Sequence, residues 1–173
     1  MKHYVSLLRG VNVGGRNIKM IDLVNCYQRL GLLDVKSILQ SGNVIFSCEE
    51  ASASVLKSKI EKAVSKRFGY SAKVFVLDLE KLKVILNNYP FDSDNDTYQH
   101  YIIFTDGIIT TRLYDEGKLI KSDSDGVSLY NSVIYWKVEK GKSVESPFSK
   151  LLVKKEFKQF HTNRNIRTIA KLC

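Results

Sequence analysis

The chain has 173 residues, a net charge of +9, 44% hydrophobic and 10% aromatic residues. These are the proportions of an ordinary soluble globular protein, long enough for one large domain or two small ones. No apolar run approaches the ~18–20 residues of a membrane helix, and Tyr4-Val5-Ser6-Leu7-Leu8 is too short for a secretory signal. The expected protein is therefore cytoplasmic, with no membrane association.

His3 to Arg9 reads as a first strand because Tyr4, Val5, Leu7 and Leu8 form an apolar run. Next comes Arg9-Gly10-Val11-Asn12-Val13-Gly14-Gly15-Arg16-Asn17, with three glycines, two arginines and two asparagines in nine residues. Glycines let a ligand approach backbone N–H groups, and arginine and asparagine add donors. That chemistry suits a phosphate or carboxylate, although the spacing is neither G-x-x-x-x-G-K-[ST] nor G-x-G-x-x-G.

Met20, Leu23, Val24, Tyr27 and Leu30 then keep the rhythm of an amphipathic helix, with Gly31 as its left-handed terminator. Val35–Leu39 and Val44–Phe46 are short strands joined by the turn Gln40-Ser41-Gly42-Asn43. Ala53, Leu56, Ile60, Ala63 and Val64 mark a second helix between a Ser52 cap and Gly69. Lys73–Leu77 is the fourth strand. The order β-α-β-β-α-β predicts a ferredoxin-like split βαβ unit over residues 1–78. It places the first strand beside the third, so the glycine loop and the Gln40–Asn43 turn leave the sheet at the same edge.

Residues 79–173 read as a second α+β unit ending in a basic helix. Asp78 caps a helix through Leu79, Leu82, Ile85 and Leu86 that Pro90 stops. Asp92, Asp94 and Asp96 imitate the opening of a calcium loop, but Thr97 and Ile103 occupy the positions that require glycine and glutamate, so a polar linker is expected. Tyr101–Phe104 is a strand, a short helix is expected around Ile109–Tyr114, and Lys118–Lys121, Val127–Tyr130 and Val133–Val138 read as further strands. Asp125-Gly126 and Asn131-Ser132 supply the turns between them. Ser146-Pro147 opens another helix. In the closing segment Thr162 is expected to cap a helix with Ile166, Ile169, Ala170 and Cys173 turned inward. Arg164 would then lie in its first turn, where a bound anion reverses the unfavourable dipole term. A salt bridge is the alternative there, and the preferred one for Arg167.

Charge is distributed unevenly. Residues 1–40 carry a net +4, residues 41–140 a net −1 and residues 141–173 a net +6. If the two basic ends came together they would attract an acidic partner. Cys26, Cys48 and Cys173 show no C-x-x-C spacing, and His3, His100 and His161 no ligand spacing, so free thiols, no metal and no cofactor are expected.

Three segments together resemble a bacterial family called domain of unknown function 1697. They are the glycine loop with Lys19-Met20, then Gln40-Ser41-Gly42-Asn43-Val44, then Thr162-Asn163-Arg164-Asn165 with Thr168 and Lys171-Leu172. The likeness spans residues 4 to 172. The family's usual motifs are R-G-I-N-V-G-G, Q-S-G-N-V and T-x-R-N-W-x-T; here Val11 replaces isoleucine and Ile166 replaces tryptophan, which removes an aromatic available for stacking. The resemblance implies an α+β fold of two tandem ferredoxin-like units packed together, and no particular activity. It also implies that Arg9, Asn12, Gly14, Gly15, Asn17, Ser41, Gly42, Asn43, Arg164 and Asn165 form one surface, which Arg16 joins from the loop.

Three functions compete on these residues. The first is binding of an anionic ligand, a nucleic acid or a phosphate-containing small molecule, between the two units; no K/R-G-F/Y-G/A-F-V-x-F/Y motif accompanies it. The second is an enzyme acting on a phosphorylated or carboxylated small molecule, with His161 as base, Ser41 as nucleophile and Arg9, Arg16 or Arg164 stabilising charge. In the third, the motifs only lock the two units together. The sequence assigns neither a reaction nor an oligomeric state.

Overall fold

A computed structural model describes residues 1–11, 15, 17–49 and 52–173. The fold is α+β, with two four-stranded antiparallel sheets and, among the described residues, six helices. The chain divides into two compact units, one of Met1–Val84 with Lys171–Cys173 and one of Ile85–Ala170. No helix among the described residues is long and apolar enough to cross a membrane.

The first unit contains β1 (Lys2–Leu8), α1 (Met20–Gln28), β2 (Leu33–Ile38), β3 (Asn43–Cys48), α2 (Ala53–Phe68) and β4 (Val74–Asp78). Its strand order is β2-β3-β1-β4. The first strand therefore does lie beside the third, with Tyr4 opposite Phe46 and Leu7 opposite Asn43. Strand periodicity turns Tyr4, Ser6 and Leu8 to one face. Tyr4 and Leu8 meet Leu23 and Tyr27 of α1 and Leu56, Ile60 and Val64 of α2 there. Each such fully buried side chain contributes about 1.5–3 kcal/mol. Tyr27 is completely buried, so its hydroxyl needs a partner, and Ser6 Oγ supplies one at 2.9 Å. Both expected ends of α2 are present: Ser52 Oγ accepts from Val55 N at 3.4 Å, and Gly69 takes φ +68°.

α3 (Leu79–Asn87) follows β4, with Asp78 Oδ1 accepting from Glu80 N at 2.9 Å. The division between the two units falls inside this helix.

The second unit continues with β5 (Tyr98–Thr105), α4 (Thr110–Lys118), β6 (Asp125–Tyr130), β7 (Val133–Glu139), α5 (Pro147–Leu152), β8 (His161–Asn165) and α6 (Ile166–Ala170). Its strand order β6-β7-β5-β8 repeats the second-third-first-fourth pattern of the first unit. Ile103, Ile134, Trp136 and Val138 form the sheet side of its core, against Leu113 of α4 and Phe148, Leu151 and Leu152 of α5. α5 starts as expected, with Pro147 in its first turn and Ser146 Oγ accepting from Ser149 N at 3.2 Å.

Four expectations fail in this half. Lys118–Lys121 is not a strand: α4 runs to Lys118 and leaves Leu119 76% exposed. Gly117 stays inside that helix because Phe148 of α5 packs against it; a Cβ there would lie 2.5 Å from the ring. Asp125-Gly126 is not a turn but the start of β6, paired with Val138 and Lys137. The Asp125 carboxylate fixes it there, accepting from Trp136 Nε1 at 2.8 Å, Ser122 Oγ at 3.2 Å and Phe148 N at 3.3 Å. Finally, Thr162–Asn165 is the edge strand β8, hydrogen-bonded along β5, rather than a helix start. Ile169 is buried but Ala170 and Cys173 are exposed; Cys173 lies beyond α6, which ends at Ala170, so the helical rhythm does not reach it.

Candidate functional site

The glycine loop leaves the end of β1, where two backbone bonds fix its start. Leu8 N donates to Gly42 O, and Arg9 N donates to Lys73 O just before β4, both at 2.9 Å. The loop and the β2–β3 turn are thus neighbours, as the strand order requires. Gly10 and Gly42 take φ of +63° and +71°, the left-handed region that glycine enters without penalty. Gly42 has a second reason to be glycine: a Cβ there would collide with Val11 Cγ2 and lie 2.9 Å from Leu8 Cβ. Gly15 and Asn17 are exposed further along the loop. Asn12, Gly14 and Arg16 lie outside the described residues.

Ser41 and Asn43 serve the turn. Asn43 is completely buried, and its Nδ2 donates to Ser41 Oγ at 2.7 Å and to Ile38 O at 3.1 Å. A side-chain amide that closes a turn in this way replaces backbone hydrogen bonds the reversal cannot make.

Beside the Arg9–Lys73 bridge is a pocket of about 330 Å³ lined by Arg9, Gly10, Tyr70, Ser71 and Lys73. Two cationic residues, two hydroxyl residues and a glycine line it. Burial lowers the pKa of Arg9, so its charge is held partly out of water. Tyr70, Ser71 and Lys73 carry no local sequence signal for such a site. The signal for Lys73 was available, since a fourth strand beside the first brings the residue before it to the end of β1.

Arg164 and Asn165 belong to the second unit. Arg164 lies in the middle of β8 opposite Ile102, not in a helix's first turn. Its Nη1 donates to Thr162 Oγ1 at 2.7 Å and to Asn163 O at 2.8 Å. Burial pushes its pKa down to about 10, which leaves it charged at neutral pH. Asn165 is the residue that caps α6: its Oδ1 accepts from Arg167 N at 2.9 Å. With only five residues, α6 has little dipole to offer an anion. Arg167 instead pairs with Asp96 at 3.4 Å, the salt bridge expected of it. His161 Nε2 lies 2.9 Å from Leu152 O, which makes that nitrogen the protonated donor. Among the described residues, no three His, Cys, Asp or Glu side chains group into a metal site.

A solved structure titled "The structure of conserved bacterial protein SP0830 from Streptococcus pneumoniae" superimposes with a TM-score of 0.83. It is 25% identical in sequence, and the match covers 99% of this chain and 96% of that one. Its title states no ligand or activity. No curated protein matches the chain. The profile of a family described as "Protein of unknown function (DUF1697)" matches residues 1–135, most of the described fold and the whole β1–β4 mouth. The chain belongs to that family.

Proposed function

We propose that the protein binds a small phosphate-bearing molecule at the β1–β4 mouth of its first unit, with Arg9 and Lys73 as the charge partners. The two units are read as tandem ferredoxin-like units, on the strength of their shared element and strand orders. That repeat supplies the observation that carries the proposal. In the second unit Asp106 N donates to Phe160 O at 2.7 Å, at the same place that Arg9 N bonds Lys73 O. Both bonds directly follow the first strand and precede the fourth. The same backbone bond forms whether an acid and a phenyl ring or two cations flank it, so the cations at this point are read as serving a ligand.

The test is thermal shift and calorimetry of the full chain with inorganic pyrophosphate, and with a single-stranded RNA oligomer for comparison. The expected result is pyrophosphate binding that Arg9→Gln with Lys73→Gln weakens about tenfold or more, at unchanged melting temperature. RNA binding that falls steeply with salt and depends on many lysines would favour the polyanion instead. Wild-type affinity in the double variant would refute the proposed site.

A further inference from the structure

A second cleft in the first unit shares no lining residue with the β1–β4 mouth. It lies between α1 and α2 and encloses about 540 Å³. Arg29, Lys66 and Arg67 line it against one carboxylate, Asp22, with Asn25 adding an amide and Cys26, Leu30 and Ala63 an apolar floor. Arg67 reaches Asp22 at 3.8 Å, with both side chains more than one third exposed, so the pairing is loose. Arg29 and Lys66 form no salt bridge with a described residue. Cys26 is only 8% exposed; burial pushes its thiol up, while the positive charges of Arg67 and Arg29 pull it down. Both guanidinium groups thus act on the same point at the cleft floor.

The equivalent helix pair of the second unit is wired differently. Arg112 Nε bonds Glu116 at 3.0 Å, and its Nη2 lies 3.9 Å from Glu156. Lys154 lies 3.9 Å from Glu116. Two cations meet two glutamates there, whereas an arginine sits over a ring in both units, Arg112 at 5.2 Å from Phe157 and Arg67 at 5.7 Å from Phe68. The favourable dipole at a helix C-terminus accounts for Lys66 and Arg67 in the last turn of α2. It does not account for three cations around one open cleft with a single acid among them.

We infer that the α1–α2 cleft of the first unit is a separate binding site for a small phosphomonoester, whose dianionic head is held by Arg29, Lys66 and Arg67 and whose apolar body rests on Leu30, Ala63 and Cys26. A planar guanidinium on each side suits a phosphate, which accepts forked hydrogen bonds from several directions. The cleft is independent of Arg9 and Lys73, so either site stands if the other fails.

Phenyl phosphate titrated into the full chain by calorimetry is the probe, with glutarate and phenol as controls. The wild type is expected to bind phenyl phosphate, and Arg29→Gln with Lys66→Gln to weaken it about tenfold or more, while Arg9→Gln with Lys73→Gln leaves this binding unchanged. In a Cys48→Ser, Cys173→Ser background, phenyl phosphate should also slow alkylation of Cys26, a readout that a purely structural role for the cations would not move. Absence of phenyl phosphate binding, or wild-type affinity in the Arg29/Lys66 variant, overturns the inference. Equal binding of glutarate with the same variant dependence overturns the phosphomonoester assignment, and equal binding of phenol overturns the role given to charge.

Discussion

The connection from first strand to first helix takes residues 9–19 in one unit and only 106–109 in the other. Both units reach the same strand order, so the short connection suffices for the topology. The turn between second and third strands anchors to the first strand in both: Leu8 N bonds Gly42 O at 2.9 Å, and Thr105 Oγ1 bonds Ser132 O at 2.8 Å. What differs is the chemistry hung on that shared frame. The first unit has a long glycine-rich stretch there, flanked by Arg9 and Lys73, and loops on a rigid scaffold are where binding residues gather. The second unit uses the corresponding places for packing and paired charges. Repetition inside one chain thus provides an internal control that separates residues the fold needs from residues it tolerates.

The sharpest way to break this comparison is to make the first unit resemble the second. Arg9→Asp with Lys73→Phe should abolish pyrophosphate binding, by about a hundredfold or more, while unfolding free energy by urea changes by less than about 1 kcal/mol. A large stability loss would show that the two positions are not equivalent. The reciprocal dependence lies in the second unit. Asp125→Ala strands the Trp136 indole N–H and the Phe148 amide, and should cost about 2–4 kcal/mol by the same measurement without touching anion binding.

Two glycines sharpen it further. Gly42→Ala meets a positive φ and two neighbours with no room to retreat, the Cβ of Leu8 and a methyl of Val11. It should cost about 1–3 kcal/mol, and Val11→Ala should recover part of that loss. Gly126→Ala in β6 meets only the flexible stem of Lys137, 2.7 Å from its Cε, at an ordinary backbone conformation. Its melting temperature should stay within about 2–4 °C of wild type, the smallest effect of the set.

The first unit was largely legible in the sequence because its signals are local. Ser52 and Gly69 bracket α2, Gly31 follows α1, and Ser41-Gly42-Asn43 mark a reversal, each recognisable within a few residues. In the second unit the deciding partners are distant. Asp125-Gly126 has the composition of a turn, and only Trp136 and Phe148 reveal that the aspartate is an anchor within a strand. Thr162–Asn165 resembles a helix start until β5 is there to pair with it, and the true cap is Asn165. The candidate site was legible by half. Arg9 and Gly10 were named from composition, whereas Tyr70, Ser71 and Lys73 enter only through strand order. Nothing local distinguishes Asn43 as a turn former; its complete burial and its bonds to Ser41 and Ile38 tie it to the turn.

The first unit is not continuous in the chain: Lys171–Cys173 group with it after the whole second unit has intervened, and Leu172 among them is only 3% exposed. During synthesis from the amino end, residues 1–84 emerge before the three residues that group with them. The first unit's set of contacts is therefore completed across the whole length of the second, a closure far longer than any pairing within its own sheet.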